Sequence, residues 1–245
     1  MSTAAWRAAW PPEPIGTDTV HLWRVPLDLP ADGVCSLEKI LSEDERERAG
    51  RFHFSRDRAR FTAGRAALRI LLGAYLGKPA REVALEAASS GKPRLAAGEA
   101  GAVSFNVSHS RELALLAFTA GREVGVDVEF ADPALAWAEV APGFCTGSEL
   151  EQLRALPKGG ARERFFKIWT AKEARLKASG EGFLTDARSI GVQFDGPVPA
   201  AFLPPSESRW RLREIPVGGS FAAALVVADA DCGVRFLDLR LRDFC

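Results

Sequence analysis

The residues best suited to chemistry fall in two short stretches. Along Trp169-Thr170-Ala171-Lys172-Glu173-Ala174-Arg175-Leu176-Lys177, helical geometry sets Trp169, Glu173 and Lys177 one turn apart on one side, an acid and a base beside an aromatic ring. Along Gly125-Val126-Asp127-Val128-Glu129, strand geometry turns Asp127 and Glu129 to one face while Val124, Val126 and Val128 take the other. Gly125 leaves room there for a close backbone approach. Three carboxylates and a lysine meeting at such a helix–sheet junction would suit a hard divalent cation carrying a phosphate, with the lysine offsetting phosphate charge.

Other polar residues admit two readings each. Phe105-Asn106-Val107-Ser108-His109-Ser110 clusters hydroxyl and imidazole groups suited to phosphate oxygens, and equally suited to an ordinary strand end with local turn chemistry. Gly91-Lys92-Pro93 by itself reads as a turn with a solvated lysine. Arg46, Arg48, Arg51, Arg56, Arg58, Arg60 and Arg65 crowd one region. They would hold a terminal phosphate, or pair with Glu43, Glu45 and Glu47 on a solvated helix face.

The elements that must position these groups follow from pattern. A strand is expected at Val20–Leu27 after an irregular, proline-rich lead-in over residues 1–19. Ser42-Glu43-Asp44-Glu45 has capping-box spacing and opens a charged helix. Phe61–Leu76 reads as a second helix with an apolar face, closed by Gly77. Ala102–Val107, Leu113–Thr119 and Glu123–Phe130 read as a meander. Pro133–Leu156 is expected to be mostly helical with a break near Pro142-Gly143. A long helix, Ala161–Ser179, ends at Gly180, and strands follow at Ser208–Val217, Phe221–Ala228 and Val234–Leu241. Strands, helices, strands, helices, strands in that order favour α+β over a doubly wound parallel sheet.

The chain also looks internally doubled. Phe61–Arg69 aligns without gaps to Trp169–Lys177, and Val20–Val25 to Val124–Glu129. The expectation is a first α+β half at 20–122 and a second at 123–245, related by a pseudo-twofold axis with the site between them.

Composition excludes several classes. The 245 residues carry 32 Lys and Arg against 32 Asp and Glu, so no global field draws the chain to nucleic acid or membrane. Cys35, Cys145, Cys232 and Cys245 are scattered, which suits neither a zinc site nor a disulfide framework and fits a cytoplasmic location. No stretch has the apolar length of a membrane span or the pattern of a signal peptide.

In order, Gly91-Lys92-Pro93, Phe105–Ser110, Gly125–Glu129 and Trp169-x-x-Lys172-Glu173-Ala174-x-x-Lys177 resemble the signature of the 4′-phosphopantetheinyl transferases. Length and doubling resemble their larger, surfactin-synthetase-type group, which implies a monomer of two similar halves. The resemblance spans about Leu41 to Gly182. It implies transfer of the 4′-phosphopantetheine arm of coenzyme A to a serine of an acyl, polyketide or peptidyl carrier protein, releasing adenosine 3′,5′-bisphosphate. It implies Mg²⁺ on Asp127, Glu129 and Glu173, with Lys177 neutralising the phosphate. Lys92, Pro93, Ser108 and His109 would bind coenzyme A, and Arg46 and Arg48 its 3′-phosphate. The serine proton would go to Glu173 or to a water on the metal. Glu149 is expected to be structural. A carrier-docking surface near Phe183 and Leu184 is a further expectation from the resemblance.

Overall fold

The computed structural model describes residues 5–87, 92–99, 101, 103–180, 185–229 and 232–245. In chain order the elements are β1 (Arg7–Ala8), β2 (Thr19–Pro26), α1 (Ala31–Glu38), α2 (Glu43–Gly50), α3 (Ser55–Leu76), β3 (Leu85–Ala87), β4 (Pro93–Leu95), β5 (Ser104–Ser110), β6 (Leu113–Thr119) and β7 (Val124–Phe130). They continue with α4 (Trp137–Val140), α5 (Gly147–Ala155), α6 (Lys158–Ser179), β8 (Gly191–Asp195), β9 (Val198–Leu203), β10 (Trp210–Glu214), β11 (Phe221–Ala228) and β12 (Gly233–Asp238).

The sequence repeats one plan. In the first half β2 pairs antiparallel with β6, and β6 with β5; in the second β7 pairs antiparallel with β11, and β11 with β10. Each half inserts a short capped helix, a long helix and a small hairpin after its first strand. The α+β expectation and the two similar halves are therefore found. The expected meander is not: β7 leaves the β5–β6 hairpin and opens the second sheet. The lead-in is also less irregular than expected, because β1 adds to β12, and β12 runs parallel to β2. The last strand of the chain thus completes the first sheet, so the boundary at residue 123 does not partition the strands cleanly.

The helix pairs fix the true register of the doubling. Ser42 and Thr146 both cap through capping boxes, and the third residues of those helices, Glu45 and Glu149, are both buried. The following helices, α3 and α6, are each 22 residues long and end on left-handed glycines, Gly77 and Gly180. Glycine alone adopts that conformation without strain. Matching the helix ends sets Arg69 against Lys172, and each of these bases pairs with the buried glutamate of its own half. The expected alignment, Phe61 opposite Trp169, is displaced from this by more than a turn. Identity of residue type in two alanine-rich helices misled it.

The two sheets pack face to face. Val20, Leu22, Leu113, Leu115 and Ala117 from the first meet Val124, Val126, Val128, Leu225 and Val227 from the second. The outer face of the first sheet, including Trp23, Leu116 and Phe118, is covered by α3. That of the second, including Ala224, Val226 and Ala228, is covered by α6 through Phe165, Ile168, Ala171 and Ala174. Central strands covered on both faces have no reason to alternate, which explains the unbroken apolar runs of β6 and β11. Each fully buried side chain of Leu or Phe size adds about 1.5–3 kcal/mol.

Candidate active site

The site forms where β7 faces α6. At the positions where β2 sends His21, Trp23 and Val25 towards its covering helix, β7 carries Gly125, Asp127 and Glu129. Gly125 has no room for a side chain: a Cβ there would lie 2.0 Å from the Ala174 carbonyl oxygen and 2.5 Å from the Ala178 nitrogen. That contact brings Lys177 onto Asp127, with Nζ 2.5 Å from Oδ1. Glu173, one turn earlier, lines the same cleft with Glu129.

A polar seam ties the two halves together beside this pair. β5 and β7 are edge strands of different sheets, and the outward N–H groups of Val126, Val128 and Phe130 have no strand to donate to. They donate instead to Asn106 Oδ1 (3.1 Å), Ser108 Oγ (3.3 Å) and Ser110 Oγ (3.1 Å). Residues two apart on a strand share a face, so Asn106-x-Ser108-x-Ser110 makes a side-chain ladder in place of a backbone one. Ser108 also donates to Asp127 Oδ1 (2.8 Å) and accepts from Lys177 (2.9 Å). Its one proton and two lone pairs are all engaged. Ser110 donates to Glu129 Oε2 (2.9 Å). The hydroxyls expected to meet phosphate are therefore occupied in joining the sheets and aiming the carboxylates. The alternation of short polar side chains was the available signal for this.

The cleft has a volume of about 500 Å³ and is walled by both halves. The second half supplies Asp127, Glu129, Glu173 and Lys177; the first supplies Arg48, Phe61, Arg65, Lys92, Pro93, Ser108 and His109. One wall is thus acidic and the other basic. Burial, then the charge of Asp127, raises the Glu129 carboxyl to about 7. The same two causes raise Glu173. Burial, then the nearby Lys177, lowers the Lys92 ammonium.

Arg46 does not line the cleft; its guanidinium donates to the Leu41 carbonyl. Arg65 does line it, and was not among the expected coenzyme A residues. Arg51, Arg56, Arg58 and Arg60 pair with neighbouring carboxylates, the solvated reading of that cluster. Lys172 is fully buried, donating to Glu149 Oε2 (2.6 Å) and to the Phe144 carbonyl, while Glu149 Oε1 accepts from the Val192 N–H. Both are structural. Gly91, Phe183 and Leu184 lie outside the described residues.

The donor set is all oxygen. Among the described residues no three His, Cys, Asp or Glu side chains are gathered closely enough to cage an ion. Asp127 Oδ2, however, is buried without a hydrogen-bond partner, and a buried carboxylate oxygen in that state costs stability until something meets it. Magnesium is ordinarily held by one or two carboxylates plus substrate phosphates and water, and needs no cage made of protein alone. The residues present fit such an ion bound together with a phosphate.

Comparison with known proteins agrees with this geometry. The family "4′-phosphopantetheinyl transferase superfamily" matches residues 123–226, and "4′-phosphopantetheinyl transferase, N-terminal" matches residues 31–120. The chain is 40% identical over 225 residues to 4′-phosphopantetheinyl transferase HetI of Nostoc sp., covering 89% of this chain and 93% of the relative. It is 31% identical to a putative 4′-phosphopantetheinyl transferase of Synechocystis sp., covering 80% of each. It is 26% identical to 4′-phosphopantetheinyl transferase Sfp of Bacillus subtilis, covering 78% of this chain and 84% of that one. The chain belongs to the 4′-phosphopantetheinyl transferase family, in its larger two-halved form, and is a transferase. Coenzyme A and a carrier protein are the substrates of that class.

Proposed function

We propose that this chain moves the 4′-phosphopantetheine arm of coenzyme A onto a serine hydroxyl of an apo carrier protein, with Mg²⁺ held by Asp127, Glu129 and Glu173. The observation that carries the reading is the cleft itself. Three carboxylates, one with an open buried oxygen, share a cleft of about 500 Å³ with Arg48, Arg65 and Lys92 of the opposite wall. When bound, the metal ion supplies charge neutralisation on the pyrophosphate.

The serine oxygen forms a bond to the phosphorus that carries the pantetheine arm. The bond from that phosphorus to the bridging oxygen breaks, and adenosine 3′,5′-bisphosphate leaves with the electron pair. Glu173, which lines the cleft with Asp127 and Lys177, accepts the serine proton. Lys177 holds its ammonium between Asp127 and Ser108, where it offsets charge on the departing phosphate. Positioning and charge stabilisation of this kind provide most of the acceleration in phosphoryl-type transfer. Lys92 and His109 bind coenzyme A phosphates from the opposite wall, Pro93 packs beside them, and Arg48 holds the nucleotide end.

Both halves wall the cleft, which supports a monomer as the active unit. Four free cysteines support a cytoplasmic, reducing location. The test is release of adenosine 3′,5′-bisphosphate from coenzyme A, followed by chromatography. Release that requires both apo carrier and Mg²⁺ supports the reading. Release without any carrier would favour hydrolysis of a phosphate substrate instead.

A further inference from the structure

Lys177 and Asp127 make an ion pair that the fold itself does not require. In the register set by the helix ends, the first half has Trp23 where the second has Asp127, and Ala74 where it has Lys177. There α3 covers β2 with no charged group at either position. In the second half the pair is close and shielded. Lys177 Nζ lies 2.5 Å from Asp127 Oδ1 and 2.9 Å from Ser108 Oγ, with the lysine side chain 17% exposed and the aspartate 2%. Oδ1 accepts from both the ammonium and the Ser108 hydroxyl, while Oδ2 of the same carboxylate is buried without a hydrogen-bond partner. A cation that meets Oδ2 therefore shares its carboxylate with an ammonium group.

The charges around this carboxylate nearly balance before any ion arrives. Asp127, Glu129 and Glu173 share this end of the cleft with Lys177 and Lys92. Three carboxylates against two ammonium groups leave one net negative charge, and a bare dication reverses it to one positive. In such a shielded place, with an effective dielectric near about 20, like charges repel about four times more strongly than in bulk water. A phosphate arriving with the ion changes both terms. It brings the missing negative charge, and the lysine ammonium, with three donors on a flexible stem, can turn towards it from Asp127.

We propose that Lys177 competes with the metal ion for Asp127, so that the site discriminates against a bare dication and takes one that arrives with a phosphate. This rests on the proposed function for the carboxylates that hold the metal, and on the geometry of the ion pair for the competition. Lys177 then serves twice, as counter-charge to Asp127 before loading and as partner of the phosphate after it.

The test is Mn²⁺ binding, followed by the paramagnetic resonance of the free ion, without and with saturating coenzyme A. In wild type, coenzyme A should tighten Mn²⁺ binding about tenfold or more. Lys177→Met should bind bare Mn²⁺ about tenfold tighter than wild type, since a unit charge beside the dication is gone, and its further gain from coenzyme A should shrink to about threefold or less. Lys177→Gln, a second neutral variant, should match Lys177→Met, and Lys177→Arg, which keeps the charge, should match wild type. Asp127→Asn should lose the binding in both conditions. Bare-ion affinity unchanged or weaker in both neutral variants would overturn the proposal. So would a neutral-like result in Lys177→Arg, or binding undiminished in Asp127→Asn. The proposed function fails separately, because the bare-ion arms need neither coenzyme A nor carrier: the expected Mn²⁺ affinities in a protein that modifies no carrier would keep the competition and lose the transferase reading.

Discussion

Gly125→Ala is the most informative single change, because it adds one methyl group at the contact that aligns the site. The new Cβ would sit 2.0 Å from the Ala174 carbonyl oxygen and 2.5 Å from the Ala178 nitrogen. These two atoms are the acceptor and donor of one helical hydrogen-bond position in α6, so the methyl group presses on the ladder itself. Atoms of this kind approach no closer than about 3 Å, so β7 and α6 must part by about 1 Å or the helix must bend there. Asp127 is two residues from the clash and Lys177 is adjacent to it, so their 2.5 Å contact cannot survive the shift. Overpacking of this sort costs about 1–3 kcal/mol, which for a chain of this size lowers Tm by roughly 2–4 °C per kcal/mol. Displacement of reacting groups by about 1 Å costs about 100-fold in rate, or about 2.7 kcal/mol in the barrier. The assay is kcat from adenosine 3′,5′-bisphosphate release alongside a thermal melt, with Gly160→Ala as control. Gly160 lies in α6 with open space where a Cβ would go, and its substitution should leave kcat unchanged and Tm equal or higher. Wild-type kcat and Tm in Gly125→Ala would refute the claim that this contact sets the site.

Three further outcomes follow from the same contacts. Ser108→Ala removes the acceptor for the Val128 N–H and for Lys177 and the donor to Asp127, so it should cost about 1–3 kcal/mol of stability in a urea titration and lower kcat. An unchanged midpoint would remove the seam from the account. Lys172→Met leaves Glu149 charged and buried, costing about 3–5 kcal/mol, and Glu149→Gln on the same chain should recover much of that loss; a double variant no better than the single one would contradict the pairing. His21 is fully buried, bonded through Nδ1 to the Tyr75 hydroxyl, and burial followed by Arg235 lowers its pKa from 6.5 to about 4. Because the folded pKa is depressed, its contribution is intact above pH 6.5. It is lost between 6.5 and about 4, amounting to about 3 kcal/mol. Stability measured across that window should fall more steeply in wild type than in His21→Gln, and equal slopes would contradict the assignment.

Much of the site was legible because strand and helix periodicities are local. Asp127 with Glu129, and Glu173 with Lys177, needed only the periods of two and 3.6 residues to be placed on common faces. Gly125 was readable as a close approach, although its partner was not. What stayed hidden depends on long-range pairing. That β7 leaves the β5–β6 hairpin to open a second sheet, and that β12 returns to the first, cannot be read from apolar runs that look alike. The polar ladder at Asn106, Ser108 and Ser110 is visible as an alternation, but its purpose depends on β7 lying beside β5. The arginines mixed three fates in one stretch: Arg58 and Arg60 pair with carboxylates, Arg46 turns back to its own helix start, and Arg65 faces the cleft. Only packing separates them.

The central claim is carboxylate-dependent, metal-dependent group transfer within one cleft. It is tested most directly by intact-mass spectrometry of an apo carrier protein incubated with this chain, coenzyme A and Mg²⁺, beside EDTA and Asp127→Ala arms. The account predicts a gain of one phosphopantetheinyl group on the carrier serine in the complete mixture and none in either control arm. The same gain with EDTA present, or with folded Asp127→Ala, would contradict it.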